Sequence, residues 1–130
     1  MGKDRTGLTI FWPDDGLDEG PIMLQKTCEI GPDETLGDVY FKKLFPMGVD
    51  AMLEGLDLLK SSVIIKHDQR LEDGTYEGWF GKKEAALDWS APVDTVYNTI
   101  RAANPAPGAW TTVQGQELKI YDSARVEGTG

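Results

Sequence analysis

Residues 6–12 read Thr-Gly-Leu-Thr-Ile-Phe-Trp, β-branched and aromatic side chains with no charge among them, and Pro13-Asp14-Asp15-Gly16 breaks the run. That pattern predicts a strand closed by a turn. Residues 21–30, Pro-Ile-Met-Leu-Gln-Lys-Thr-Cys-Glu-Ile, predict a second strand, ended by Gly31-Pro32-Asp33. Two strands this close in sequence pair most simply as an antiparallel ribbon with a long connecting loop. The period then changes. Leu36, Val39, Tyr40, Lys43 and Leu44 recur at helical spacing, and after Phe45-Pro46 the spacing resumes with Val49, Met52, Leu53, Leu56 and Leu59. Asp33 or Thr35 can cap this helix, and Pro46 should kink or restart it because its ring displaces one hydrogen bond. A stripe this long and apolar must pack against something large.

Polarity rises from Ser61 to Gly74, although Val63-Ile64-Ile65 has the composition of a short strand. The expected division is residues 1–62, a linker at 63–74, and a second subdomain at 75–130. In that second part 76–78 and 86–89 look like short strands. Ser90 is placed to cap a helix, with Pro92 and Asp94 in its first turn and Val93, Val96, Tyr97 and Ile100 on its buried face. Asn104-Pro105-Ala106-Pro107-Gly108 stops that helix. Residues 110–113 and 118–121 predict a hairpin turning at Gln114-Gly115-Gln116.

Composition narrows the function classes. The 130 residues carry a formal net charge of -9, with 40% hydrophobic and 27% charged positions, the balance of a globular chain. Nucleic-acid binders draw most of their affinity from basic groups on phosphates, so this charge argues against a DNA or tRNA partner. No apolar run approaches the roughly 20 residues that cross a bilayer, and the first residues do not form a secretory signal, so no membrane partner is expected. One cysteine, Cys28, cannot form an internal disulfide and fits a reducing, cytoplasmic setting.

The densest candidate site is Asp14-Asp15-Gly16-Leu17-Asp18-Glu19-Gly20-Pro21. Asp and Gly are the ordinary formers of a solvated turn. The carboxylate spacing does not match a calcium loop of the EF-hand type, so no metal is expected. Residue order gives a second reading. The string from Phe11 to Gln25, with Leu17-Asp18-Glu19-Gly20-Pro21, a short apolar strand and then Gln25, resembles the folate-dependent formyltransferases, which share Leu-Asp-any-Gly-Pro at this place. Other segments follow in the same order: the helix interrupted at Leu44-Phe45-Pro46-Met47-Gly48, then Thr75-Tyr76-Glu77-Gly78, Lys82-Lys83-Glu84, Leu87-Asp88-Trp89, and Ile100-Arg101 before Pro107-Gly108-Ala109-Trp110-Thr111.

The resemblance implies an α/β chain, in its own extent an α+β fragment. A β-ribbon and long helix would come from the end of a Rossmann-like catalytic domain, followed by a small OB-like β-rich subdomain with one helix. It implies that Asp18 is catalytic, that Leu17, Gly20 and Tyr76 bind substrate, and that the substrate is 10-formyltetrahydrofolate. Formyl transfer from nitrogen passes through a tetrahedral intermediate, and a carboxylate can orient a histidine and move protons through water. The family's Asn-any-His-Pro-Ser motif, which would supply that histidine, is absent. His67, between Lys66 and Asp68, reads as an exposed surface residue.

Within the family, glycinamide ribonucleotide formyltransferases lack the second subdomain. Methionyl-tRNA formyltransferases must grip tRNA, against the charge balance here. Sugar-nucleotide formyltransferases stay open. Phe-Trp before the acidic loop and Tyr-Glu-Gly look most like the hydrolase domain of 10-formyltetrahydrofolate dehydrogenase, where water accepts the formyl group. Three outcomes follow: an inert part of such an enzyme, a binding or assembly protein on its scaffold, or an enzyme with a different constellation. The first two leave an apolar helix face open, so a homo-oligomer or a complementary N-terminal half is the expected partner. Elsewhere, Cys28, Trp89 and Trp110 are expected as core residues, Lys82-Lys83 as a solvated turn, and Arg101 in a structural ion pair.

Overall fold

A computed structural model describes residues 2–128. The described residues form two compact units that alternate along the sequence: residues 5–29 with 40–77, and residues 2–4, 30–39 and 78–128.

In the first of these, β1 (Arg5–Phe11) and β2 (Ile22–Glu29) pair antiparallel, from Arg5 opposite Glu29 to Ile10 opposite Leu24. The register then jumps, so that Phe11 faces Ile22 and Met23 is bulged out of the ladder. Met23 is buried, and its sulfur lies against the backbone of Gly55. Gly55 and Ala51 form the buried face of α2 (Phe45–Lys60), where missing bulk lets the helix close on Ile10 and Leu24. At the rim of this contact Lys26 Nζ sits 2.7 Å from Glu54.

The helical run starts earlier, at α1 (Leu36–Val39). Thr35 is its cap: the Asp38 amide donates to Thr35 Oγ1 at 3.2 Å, and the Thr35 amide donates back to the Asp38 carboxylate at 3.1 Å. Between α1 and α2 the backbone widens into a π turn, Tyr40–Leu44. The interruption expected at Pro46 therefore lies just ahead of it, with Pro46 in the first turn of α2, where a missing N–H costs nothing.

The second unit is built on α3 (Val93–Ala103) and a hairpin of β3 (Ala109–Val113) and β4 (Gln116–Ile120). Ala85, Ile100, Ala103 and Ala109 are buried together, with Phe80, Leu87, Val96, Trp110 and Ile120 packed around them. The hairpin turn uses two residues, not three: Gln114 and Gly115 both have positive φ, 51° and 79°, and Gln116 already pairs with Val113. Two successive left-handed residues match the twist of the flanking strands.

Several expected elements do not form. Residues 63–65 make no strand; Trp12 Nε1 instead donates to the Ile65 carbonyl, so a side chain ties this segment down in place of a ladder. Residues 76–78 form no strand. Of 86–89, only Ala86 bridges to another strand, at Trp110. Ser90 caps nothing. Its hydroxyl and amide are drawn to the Asp88 carboxylate, and α3 begins beyond Pro92. Trp89 is 62% exposed, held at its edge by an indole hydrogen bond to Thr111 Oγ1, so it is no core anchor. Lys82, by contrast, lies over the Trp110 ring and pairs with Glu117.

Candidate functional site

The loop between β1 and β2 is held at its base before it reaches Asp18. The Trp12 amide donates to the Pro21 carbonyl at 2.8 Å. Next to that bond Gly20 is buried, and a Cβ on it would fall 1.7 Å from the Trp12 carbonyl oxygen. No side chain fits there, which is the physical reason for glycine in Leu-Asp-any-Gly-Pro. At the acidic tip, the Gly16 amide donates to Asp14 Oδ1 at 2.9 Å, an Asx turn.

Asp18 has φ +55°, the left-handed region. An L-residue there costs on the order of 1 kcal/mol, least for Asp and Asn, and such positions concentrate at functional sites. The return segment braces the loop. The Ile22 amide donates to the His67 carbonyl at 2.7 Å, and the His67 amide donates back to the Ile22 carbonyl at 2.9 Å. Gln69 Nε2 donates to the carbonyls of Asp18, at 2.9 Å, and Gly20, at 2.7 Å.

These contacts frame a cleft of about 480 Å³. Leu17, Asp18 and Glu19 line one wall; Gln69, Arg70, Leu71 and the segment from Gly74 to Glu77 line the other, so Tyr76 shares the cleft with Asp18 across 58 positions of sequence. Leu17 is 69% exposed and Tyr76 81% exposed. Gly20 does not line the cleft; it meets the Trp12 backbone behind the loop. His67 is exposed, bound by its backbone to Ile22, and does not line the cleft. Sequence reasoning named Asp18, Leu17 and Tyr76 but missed Gln69; its signal would have been one amide side chain in a charged stretch, which no periodicity marks.

The second unit has a different polar cluster. The buried Tyr97 hydroxyl donates to Asp33, and the phenol is held above its ordinary value of 10.0, first by that bond and then by burial. The Arg101 and Arg125 guanidiniums lie over the Tyr97 ring at 5.4 and 4.9 Å. Among the described residues Arg101 makes no ion pair of the expected kind. Its NH1 donates to the Gly31 and Glu34 carbonyls and its NH2 to Asn98 Oδ1, so it ties α3 to the turn before α1. Among the described residues no group of His, Cys, Asp and Glu side chains is arranged to hold a metal, and no helix is long and apolar enough to cross a membrane.

Comparison with known proteins gives the family of the chain. The family model described as formyl transferase matches residues 1–54, and that of the formyl transferase C-terminal domain matches residues 80–130. The mitochondrial 10-formyltetrahydrofolate dehydrogenase of Mus musculus is 39% identical over 124 residues, 95% of this chain and 13% of that protein. The methionyl-tRNA formyltransferase of Syntrophus aciditrophicus is 36% identical over 126 residues, 97% of this chain and 40% of that enzyme. Among solved structures, HypX from Aquifex aeolicus in complex with tetrahydrofolic acid superposes with a TM-score of 0.74 at 20% identity, covering 93% of this chain and 21% of HypX. The chain thus spans a minor part of each of these proteins, and it shares their fold over nearly all of its own length.

Proposed function

Since the chain belongs to the formyl transferase family, we propose that the Asp18 cleft is one part of a site for 10-formyltetrahydrofolate, completed by groups outside these 130 residues. The observation that carries this is the placing of Asp18, in a left-handed conformation, on one cleft with Leu17 and Tyr76. Leu17 and Tyr76 offer an exposed apolar and aromatic surface of the kind that receives a flat heteroaromatic ring. Gly20 acts behind them, by letting the loop fold against Trp12. Asp18 supplies a carboxylate at the rim, where it can hold a histidine in its charged form while a proton passes to the leaving nitrogen.

The dehydrogenase relatives support water as the formyl acceptor, so that the products are formate and tetrahydrofolate. The chain's acidic balance supports the same choice over tRNA. Of the residues that reaction needs, the sequence supplies the carboxylate but not the Asn-any-His-Pro-Ser motif, and the 130 residues by themselves are proposed to bind folate without turning it over. A reducing, cytoplasmic setting is consistent with a lone thiol, Cys28, half-buried on β2. The test is titration with 5-formyltetrahydrofolate followed by tryptophan fluorescence, beside a formate-release assay. Saturable quenching with no formate is the expected result. Absence of binding, or turnover abolished by Asp18→Asn, would count against the reading.

One feature favours a second reading, assembly of two copies on this scaffold. Phe41, Phe45, Val49, Met52, Leu56 and Leu59 are each exposed by roughly half, and from Phe45 onward their spacing of four, three, four and three is that of a helix–helix seam. These side chains offer roughly 600 Å² per copy, close to the ~800 Å² per partner of a standard interface. In an antiparallel twofold pair this spacing sets Phe45 against Leu56 and Val49 against Met52 of the second copy.

A further inference from the structure

We propose that Gln69 is the positioning residue of the Asp18 loop, a role that rests on the reading of Asp18 given above. Gln69 Nε2 donates to two carbonyls on the return limb of the loop: that of Asp18 itself, at 2.9 Å, and that of Gly20, at 2.7 Å. The donor is 51 and 49 residues away in sequence, so the contact is tertiary and not a property of the loop. Turning two carbonyls, two residues apart, toward one nitrogen bends the backbone around that nitrogen, and at this bend Asp18 takes its positive φ.

The Gln69 amide supplies what this contact needs. Both carbonyls are acceptors, so the side chain facing them must bring two N–H bonds from one atom and no negative charge. Glutamate has the same length but, when ionised, offers only acceptors and would repel both carbonyls. Asparagine is one methylene shorter, about 1.5 Å, and from 2.7–2.9 Å contacts it would leave both carbonyls out of reach.

Gln69 can bear on the loop because its own backbone is fixed. Two residues before it His67 is paired in both directions with Ile22, and four residues before it the Ile65 carbonyl takes the Trp12 indole N–H at 2.9 Å. The segment 65–69 is thus laced to both ends of the loop, at Trp12 and at Ile22, and Gln69 reaches its middle. Gln69 also lines the cleft beside Asp18, Arg70 and Tyr76. With its amide protons committed to the loop backbone, it sets where the Asp18 carboxylate stands and leaves the reacting groups to others.

The experiment compares the 130-residue chain with its Gln69→Ala and Gln69→Glu variants. It reads backbone order parameters at Asp18, Glu19 and Gly20 by NMR, together with affinity for 5-formyltetrahydrofolate by tryptophan fluorescence. In Gln69→Ala the order parameters of these three residues are expected to fall below ~0.6 and folate affinity to fall about tenfold, while the hydrogen-bonded Ile22 and His67 amides keep their protection from exchange. Gln69→Glu should match Gln69→Ala at pH 7 and regain loop order only as the pH falls below ~4, because a protonated carboxyl regains one donor. A purely structural contribution to stability would not return in that window. Unchanged order at Asp18 to Gly20 in Gln69→Ala overturns the proposal, and so does a loosened loop with unchanged affinity. If the parent chain binds no folate, the Asp18 reading fails on its own, and the order of the loop still decides what Gln69 does.

Discussion

Gly20 and Trp12 meet backbone to backbone: a methyl group on the Gly20 α-carbon would stand 1.7 Å from the Trp12 carbonyl oxygen. Neither partner is a flexible side-chain end, so neither can step aside. Gly20→Ala is therefore expected to destabilise the chain by about 2–4 kcal/mol, read from urea unfolding. Gly78→Ala is the control, since nothing lies within 4 Å of a Cβ there and its cost should stay below about 1 kcal/mol. Equal effects at the two positions would remove the account of why this loop needs glycine.

Thr35 and Asp38 satisfy each other's amides at the start of α1. Thr35→Ala removes one of those acceptors and should cost about 1 kcal/mol, with Thr35→Ser close to neutral. Chemical denaturation of the pair distinguishes a lost cap from a lost methyl group.

Tyr97 gives the chain an alkaline limit. Its phenol is held above 10.0, first by the hydrogen bond to Asp33 and then by burial, so the folded state favours the neutral form. That contribution is fully present below pH 10.0 and is lost as pH rises through the folded value. Thermal unfolding between pH 8 and 11.5 should show midpoints falling above pH ~10 in the parent chain, and a shallower fall in Tyr97→Phe.

At the acid end the sign reverses. Asp88 is held below its ordinary 3.8, chiefly by the Ser90 hydroxyl and then by the Ser90 amide. Glu84 is held below 4.5, chiefly by the Gly81 amide. Both favour the charged form in the fold, so what they contribute is present above those values and lost as pH falls through the lower folded ones. Asp88→Asn with Glu84→Gln should flatten the loss of stability below pH ~4. Both groups are exposed, and the change should be small and reduced by salt.

The seam on α2 makes the oligomeric state a direct measurement. Sedimentation or light scattering at ~10 μM should give a dimer for the parent chain and a monomer for Met52→Glu with Leu56→Glu, both folded by circular dichroism. A compact monomeric parent chain at that concentration ends the assembly reading and leaves the folate reading standing.

Much of the molecule was written in local pattern. The ribbon, the long helix with a restart at Pro46, α3 and the hairpin all follow from periodicities of two and 3.6 with Gly and Pro at their ends, and each is a choice a few neighbouring residues can make alone. The Leu-Asp-any-Gly-Pro order likewise pointed to Asp18. The tertiary structure decided what local pattern does not encode: that Met23 bulges toward Gly55, that Ser90 serves Asp88 and caps nothing, that 63–65 is tied by the Trp12 indole, and that Gln69 holds the Asp18 loop from 51 residues away. Each is a hydrogen bond or a contact between distant segments, and its partner is named by position in space, to which the neighbours along the chain carry no reference.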